Sequence, residues 1–504
     1  QPDQPLNQWV IQVAADVDPA TAAAQAGLVL VGAVRNMPGY YIVEAPLMMA
    51  RDTAQARAVT RGLEKVSGIT FAEQLVLRQQ MRRLPTHPAY PNQWHLNNTG
   101  QAGGTAGEDA NVVAAWNAGF DGTGVRIAVV DDGVEHTHPD ISPNYDTLND
   151  YDYNFDDNDP NAGWTSWHGT SAAGVAAAAD DGVVCGVGAA YNATLMGLRI
   201  LGAATTDVQE AQAMTHGIYN NTVHISTNSW GPNDDGQQWG GVGTLALNAL
   251  RDGATYGRQG KGVIYTWAGG NGLWNNDHTG ADGWVNSPFT IGVAASTNEG
   301  EQAWYSENGS ALVVNAPSNG GTAGITTTDV TDDTDGDCTS DFGGTSSATP
   351  LVAGVVALML EANPNLTWRD VQAILIQSAE KNDPSGSGWT VNGAGHDVNH
   401  RYGFGRVDAA AAVTLAQTWT SLAPVQSYYR NVAVNQAIPD GGTRAATITV
   451  PVDVSLEHVE VILNVTHARR GDLRVMLTSP DGTESVMLEQ RSPDFGANIT
   501  GYRF

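Results

Sequence analysis

Two apolar runs of strand length, VRIAVV up to Val130 and GVIYTWA up to Ala268, break off abruptly into short turns, DDG and GGNG. An unbroken apolar run bounded by turn residues is the pattern of a strand buried on both faces, as in a parallel sheet covered by helices. A third run, ATPLVAGVVALMLEA from Ala348, reads as a buried helix. Pro350 fits only in a first helical turn, so the helix should begin near Ser346. The expected fold class is α/β, a parallel sheet flanked by helices. Open sheets of this kind carry their reacting groups beyond the carboxyl ends of the strands.

Four segments place chemistry at such ends: IAVVDDG, WHGTSAAG, WAGGNG and GGTSSATP. A serine hydroxyl is inert without a base within hydrogen-bond reach. Ser346, where a glycine turn enters the helix, supplies the hydroxyl, with backbone N–H groups and the positive helix end beside it. His168 opens a second, alanine-rich helix and supplies the base. Asp131 emerges from the strand VRIAVV to orient that imidazole, and Asn271 supplies an amide donor for an oxyanion. Singly, each has a plain alternative: a helix cap, a structural histidine, a turn asparagine. Together, in the order Asp, His, Ser, they point to acyl transfer by the subtilisin type of triad.

DDGVEHTHPD, SWGPNDDG, WYSENGS, NLTWRDVQ and HRYGFGRVDA narrow this further. From about Tyr90 to Leu415 the chain resembles the kexin/furin branch of the subtilisin-like serine proteases, the proprotein convertases. The resemblance implies a subtilisin-like catalytic domain over 84–416. Residues 1–83 would be a small α/β, ferredoxin-like prodomain, with WVIQVAA and GYYIVEAP as strands. After about Ala416, TRAATITVPVD, LEHVEVILNVTH and GDLRVMLTSPDG read as strands separated by Asp-Gly turns. Residues 417–504 therefore resemble the family's β-sandwich P domain, in an apparently truncated form.

The same resemblance assigns a substrate pocket. Asp234 and Asp282 match carboxylates that receive a basic residue before the cleaved bond, with Ser229, Trp230, Gly231 and Pro232 as wall. Asp132 matches the acid that favours a second basic residue. Asp207 and Glu210 stand where more distant basic residues are read, whereas Gly202, Ala204 and Gly240 replace acids common in the branch. The expected specificity is cleavage after Arg or Lys, preferably after dibasic pairs, with little further demand. Arg82 and Arg83 precede the start of the mature enzyme, so cleavage after Arg83 would make the prodomain tail the first substrate; the alternative is a plain linker.

Calcium is the implied cofactor. Asp234, Asp277 and Glu307 match the site that braces the pocket. Asp140 with Asp181 of the DDG at 180–182 resembles a second, although His87 stands where the family often has Asp. Asp152, Asp157 and Asp159 resemble a third, with a solvated acidic loop as the alternative. Cys185 and Cys338 match positions paired in the family; two buried free thiols are the alternative. A disulfide between them would close a loop of about 150 residues and stabilise by roughly 5 kcal/mol on the chain-entropy estimate.

Composition agrees. With 53 acidic and 24 basic residues the formal net charge is −29, which disfavours nucleic acid and anionic membranes as partners and suits hard cations. No apolar run of membrane-spanning length is free of interruption, so no membrane span is expected. The reading is a secreted, extracellular or periplasmic, calcium-dependent serine endopeptidase made as a zymogen. Its partners are polypeptide substrates with basic residues before the cleaved bond and its own prodomain as inhibitor. The alternative is a broad-specificity degradative protease of the same fold.

Overall fold

The computed structural model describes residues 4–45, 53–77, 85, 87–163, 166–180, 184–331 and 337–504. Of the expected site residues, Arg82, Arg83 and Asp181 lie outside these. The chain divides into two compact units, Gln1–Arg82 and Arg83–Phe504.

The smaller unit runs β1 (Gln4–Val13), α1 (Pro19–Gln25), β2 (Val29–Ala33), β3 (Tyr40–Glu44), α2 (Thr53–Leu63) and β4 (Ile69–Leu77). Its antiparallel sheet has the order β2-β3-β1-β4, the split βαβ arrangement of ferredoxin-like folds. Period-two alternation puts Trp9, Ile11 and Val13 on one face of β1, buried with Ala22, Ala23 and Leu63 of the helices. Asp18 caps α1 by accepting the Thr21 N–H at 2.8 Å.

In the larger unit α3 (Val112–Ala118) leads to β5 (Arg126–Asp131), β6 (Tyr151–Asp152), α4 (His168–Ala177), β7 (Thr194–Arg199) and α5 (Asp207–Met214). Then come β8 (Ile225–Asn228), α6 (Thr244–Gly260), β9 (Ile264–Ala268), β10 (Thr290–Ser296) and β11 (Leu312–Pro317). These strands form one parallel sheet, β11-β10-β9-β8-β5-β7-β6. Helices cover both faces, which explains the unbroken apolar runs. Ile127 and Val129 of β5 bury into one core with Val175, Leu351 and Val355. Ala128 and Val130 enter the opposite core with Met214 and Leu250.

Strands β12 (Ile325–Thr328) and β13 (Cys338–Phe342) pair antiparallel and deliver the chain to the central helix α7 (Thr345–Ala362). The helix starts one residue before Ser346, and Pro350 sits just past the first turn. Proline leaves the Ser346 carbonyl without its helical N–H partner; the Ser229 hydroxyl donates to it instead, at 3.0 Å. Among the described residues α7 alone is long and apolar enough to cross a membrane, and it is the buried core helix of this unit. Helices α8 (Trp368–Ser378) and α9 (Ala409–Thr418), with the short pair β14 (Thr390–Val391) and β15 (Asp397–Val398) between them, complete the α/β part.

The C-terminal region contains β16 (Ile462–Val465), β17 (Val475–Thr478), β18 (Glu484–Leu488) and β19 (Ile499–Arg503), paired as β16-β19 and β17-β18. The stretch TRAATITVPVD, expected to be a strand, is exposed and forms neither strand nor ladder. Alternation specifies which face a strand would bury, but a strand exists only where a second one satisfies its backbone. This region packs on the α/β part through Met487, Leu488 and Phe504 against Ala281 and Trp239. A side chain at Gly280 would collide with the Met487 carbonyl oxygen. Cys185 and Cys338 form a disulfide, Cα–Cα 5.3 Å, across 153 positions of sequence.

Candidate active site

Asp131 is the last residue of β5 and His168 the first of α4, so strand end and helix start meet at the carboxyl edge of the sheet. His168 Nδ1 lies 2.8 and 3.0 Å from the two Asp131 carboxylate oxygens. A carboxylate only accepts, so Nδ1 carries the proton and Nε2 is left as the acceptor of the neutral ring. Gly169 makes this approach possible: a Cβ there would lie 2.9 Å from Asp131 Cβ. Asp132 Oδ1 accepts the Gly169 N–H at 2.9 Å and pins the helix start. Burial opposes the imidazolium, but the Asp131 carboxylate, aided by Asp132, outweighs it and pushes His168 up to about 9. Burial and the neighbouring Asp131 charge push Asp132 up to about 6.

Ser346 stands in the first turn of α7. Its Oγ donates a long 3.5 Å bond to the Ser229 carbonyl, and no hydrogen bond joins it to His168 among the described residues. Such bonds tighten when substrate arrives. The His168 ring packs edge-on to Phe342, 5.5 Å between centroids, four positions before the serine. Asn271 Oδ1 accepts from the Thr345 backbone N–H at 2.8 Å and its hydroxyl at 3.1 Å. That fixes the amide with its NH₂ as the donating end, where it also donates to the Asp234 carboxylate. Thr345 is thus an orienting residue that sequence reading passed over.

Ser346 and Asn271 share a cavity of about 350 Å³ with Ser229, Trp230, Gly231 and Pro232. Its floor is acidic, with Asp234, Asp277, Asp282 and Glu307 all lining it. Asp282 is buried, takes the Trp284 N–H at 2.8 Å and is pushed by burial up to about 7. Burial likewise raises Asp234 and Asp277, and pushes Glu307 well above the usual carboxylate range, with the adjacent carboxylates adding to it. Three of these acids converge around Gly272. A Cβ there would lie 2.6 Å from Asp277 Cβ, 2.9 Å from Glu307 Oε1 and 3.1 Å from Asp234 Cβ.

The other expected residues are dispersed. Asp207 and Glu210 occupy the first turn of α5 and do not line this cavity. Asp152 pairs with Arg199 at 3.2 Å, Asp157 accepts the Asp159 N–H at 2.9 Å, and Asp159 lies 3.4 Å from His136. The structure does not gather these three around one point, because Arg199 and the turn itself already engage them. Asp140 accepts the N–H groups of Val184 and Cys185 and lies 3.4 Å from buried His87. Asp181, its expected companion in a calcium site, lies outside the described residues.

No three His, Cys, Asp or Glu side chains close on a finished metal cage among the described residues. Asp234, Asp277 and Glu307 nevertheless fit calcium by chemistry: carboxylate oxygens from two buried side chains and one half-buried one, whose mutual repulsion calls for a cation. One such cation is internal and was not foreseen from the sequence. Arg491, from the turn between β18 and β19, reaches Asp277 Oδ1 at 3.0 Å.

Residues 122–405 match the family model described as the subtilase family, and residues 456–501 that of the proprotein convertase P-domain. The chain is 39% identical to PC3-like endoprotease variant B of Hydra vulgaris over 97% of its own length and 71% of that protein's. It is 38% identical to furin of Homo sapiens over 86% of its length, spanning 55% of furin. Of solved structures, the serine protease of Aeromonas sobria in complex with its chaperone superposes with a TM-score of 0.72, at 25% identity and 81% coverage of each chain.

Proposed function

From the premise that this chain belongs to the subtilase family, in the branch that carries a proprotein convertase P-domain, we propose a specific reading of its site. It is a calcium-dependent serine endopeptidase, made as a zymogen and exported, that hydrolyses peptide bonds after Arg or Lys, preferably after dibasic pairs. The observation that carries the specificity is the acidic floor of a cavity whose rim holds Ser346 and Asn271.

In this reading Ser346 Oγ attacks the scissile carbonyl carbon and its proton passes to His168 Nε2. Asp131, still ionised, stabilises the imidazolium through the Nδ1 bond. The carbonyl oxygen, now an oxyanion, accepts hydrogen bonds from the Asn271 amide and the Ser346 backbone N–H. Collapse breaks the C–N bond, and the leaving amine takes the proton from His168. Water then attacks the acyl-enzyme with His168 as base, releasing the acid and restoring the Ser346 hydroxyl.

The side chain before the cleaved bond enters the cavity and meets Asp282 and Asp234; Asp132 is placed to favour a second basic residue. Asp234, Asp277 and Glu307 would hold calcium, which supplies positive charge under the pocket and takes no part in bond breaking. The division between the compact units falls at the Arg82-Arg83 pair, which supports self-cleavage after Arg83.

The test is kcat/KM on peptides differing only in Arg, Lys or Leu before the cleaved bond. Arg and Lys should exceed Leu by about 10²-fold or more, as a buried charge pair predicts. Comparable rates would overturn the convertase-type specificity in favour of a degradative protease.

A further inference from the structure

Arg491 is carried by the C-terminal β region, yet its side chain is only 1% exposed. Its Nη2 lies 3.0 Å from Asp277 Oδ1 and donates to the Gln238 carbonyl at 2.5 Å. Asp494 Oδ2 lies 3.7 Å from Nη1, and the guanidinium stands 5.8 Å from the Trp239 ring centre. Asp494 in turn accepts from Trp239 Nε1 at 2.6 Å and from Arg470 Nε at 2.9 Å. The loop bearing Gln238 and Trp239 is thus tied to the C-terminal region at several points. Among the described residues Arg491 is the only side-chain cation within ion-pair distance of Asp234, Asp277, Asp282 or Glu307.

A buried guanidinium cannot shed its proton, so its charge is permanent. Asp277 Oδ2 accepts the Gly236 N–H at 2.8 Å, so Arg491 and the backbone together fix the carboxylate from both sides. The same contact sets a positive charge against the cluster of three carboxylates. Holding the ligand and weakening its field are opposite effects on cation binding, and at 3 Å in a buried site the field dominates.

We propose that Arg491 is a positioning residue that acts as the internal counter-ion of the cation site. It keeps the pocket floor assembled without the ion and sets a weaker divalent affinity than the three carboxylates would have alone. This rests on the calcium reading of Asp234, Asp277 and Glu307.

The test is calorimetric titration of calcium chloride into the chelator-stripped full chain. The event lost in Asp277→Asn belongs to this site. For that event Arg491→Gln should bind calcium about tenfold more tightly than the unsubstituted chain. Arg491→Lys, which keeps the charge, should stay within about threefold. A merely structural arginine gives the opposite: affinity unchanged or weaker in Arg491→Gln. That result, or an equal tightening in Arg491→Lys, overturns the proposal. Both Arg491→Gln and Arg491→Met should fold when produced in saturating calcium, because the ion then supplies the missing charge. Failure of both to fold there also overturns it. If the unsubstituted chain and Asp277→Asn titrate alike, the calcium reading itself falls, and this proposal with it.

Discussion

The molecule neutralises buried carboxylates in two ways. At the sheet edge Asp131 is paired with an imidazole, His168, 2.8 Å away. Under the pocket Asp277 is paired with a guanidinium, Arg491, 3.0 Å away. Both partners come from remote parts of the chain; the second pair is almost dry, whereas the imidazole of the first is a quarter exposed. The difference lies in what the cation can do. Imidazole gains and releases a proton near neutral pH, so its carboxylate can stabilise a charge that appears and vanishes during a reaction. Guanidinium keeps its proton, so its carboxylate is only held. One pair is suited to chemistry and the other to architecture.

Breaking the first pair, or removing the hydroxyl that it serves, should therefore stop turnover and leave cation binding alone. Ser346→Ala or His168→Ala is expected to lower kcat on an Arg peptide by about 10⁶-fold, the size known for subtilisin's own triad. Calcium titration of either variant should match the unsubstituted chain. A turnover variant with altered calcium affinity would show that the two regions are not separable. Disturbing the pocket floor should have a smaller, substrate-dependent effect. Asp282→Asn is expected to reduce kcat/KM for Arg peptides by about 10²-fold and to leave Leu peptides within a few-fold. Equal losses on both would mean that Asp282 supports the fold rather than reading the substrate.

A third effect follows from the raised carboxylates. Glu307, Asp234 and Asp277 bind protons more readily folded than unfolded, so without calcium their contribution to stability is present in acid. It is lost as pH rises through the raised values, among them that of neighbouring Asp282 at about 7. Calcium competes with those protons. The gain in melting temperature from calcium, equivalent to about 3 kcal/mol at a hundredfold excess over Kd, should shrink as pH falls from 7 to 5. Taking the difference between calcium and chelator cancels the histidines that titrate in the same range. A calcium increment independent of pH would rule out these carboxylates as its origin.

The sheet-edge pair was legible in the sequence because strand, turn and functional residue are contiguous there. VRIAVV gives the buried strand, and Asp131 is necessarily at its end; His168 and Ser346 each open a helix with its own apolar or small-residue signature. The pocket acids were legible only by resemblance, since Asp234 and Asp282 sit in loops with no periodicity. Arg491 left no local signal at all. It lies in QRSPD, a polar turn that reads as solvated, and becomes buried only because Gly280 lets the Met487 backbone close on the α/β part. TRAATITVPVD failed in the other direction, since its alternation is clear but no strand pairs with it. Pattern specifies faces, whereas partners across long sequence distances decide which faces are covered.

The finest comparison is between the two carboxylates at the sheet edge itself. Asp131 touches the imidazole, whereas Asp132 acts on it across space and is the weakest of the contributions that raise His168. Asp132→Asn keeps an oxygen for the Gly169 N–H and removes only the charge. His168 should then lose its proton at lower pH. The acid limb of kcat/KM, which reports the free enzyme, moves toward acid, and the rate on that limb rises by about two- to tenfold. The peptide should carry a single basic residue, so that any second-site preference of Asp132 does not enter. Asp132 itself titrates near 6, raised by burial and by Asp131. Above that pH it is charged and raises His168; below it the carboxyl is neutral and the two proteins become alike. The gain must therefore appear between about pH 6 and 9 and fade below 6. A uniform gain at all pH values would mean that the substitution acts through packing at the start of α4 rather than through charge.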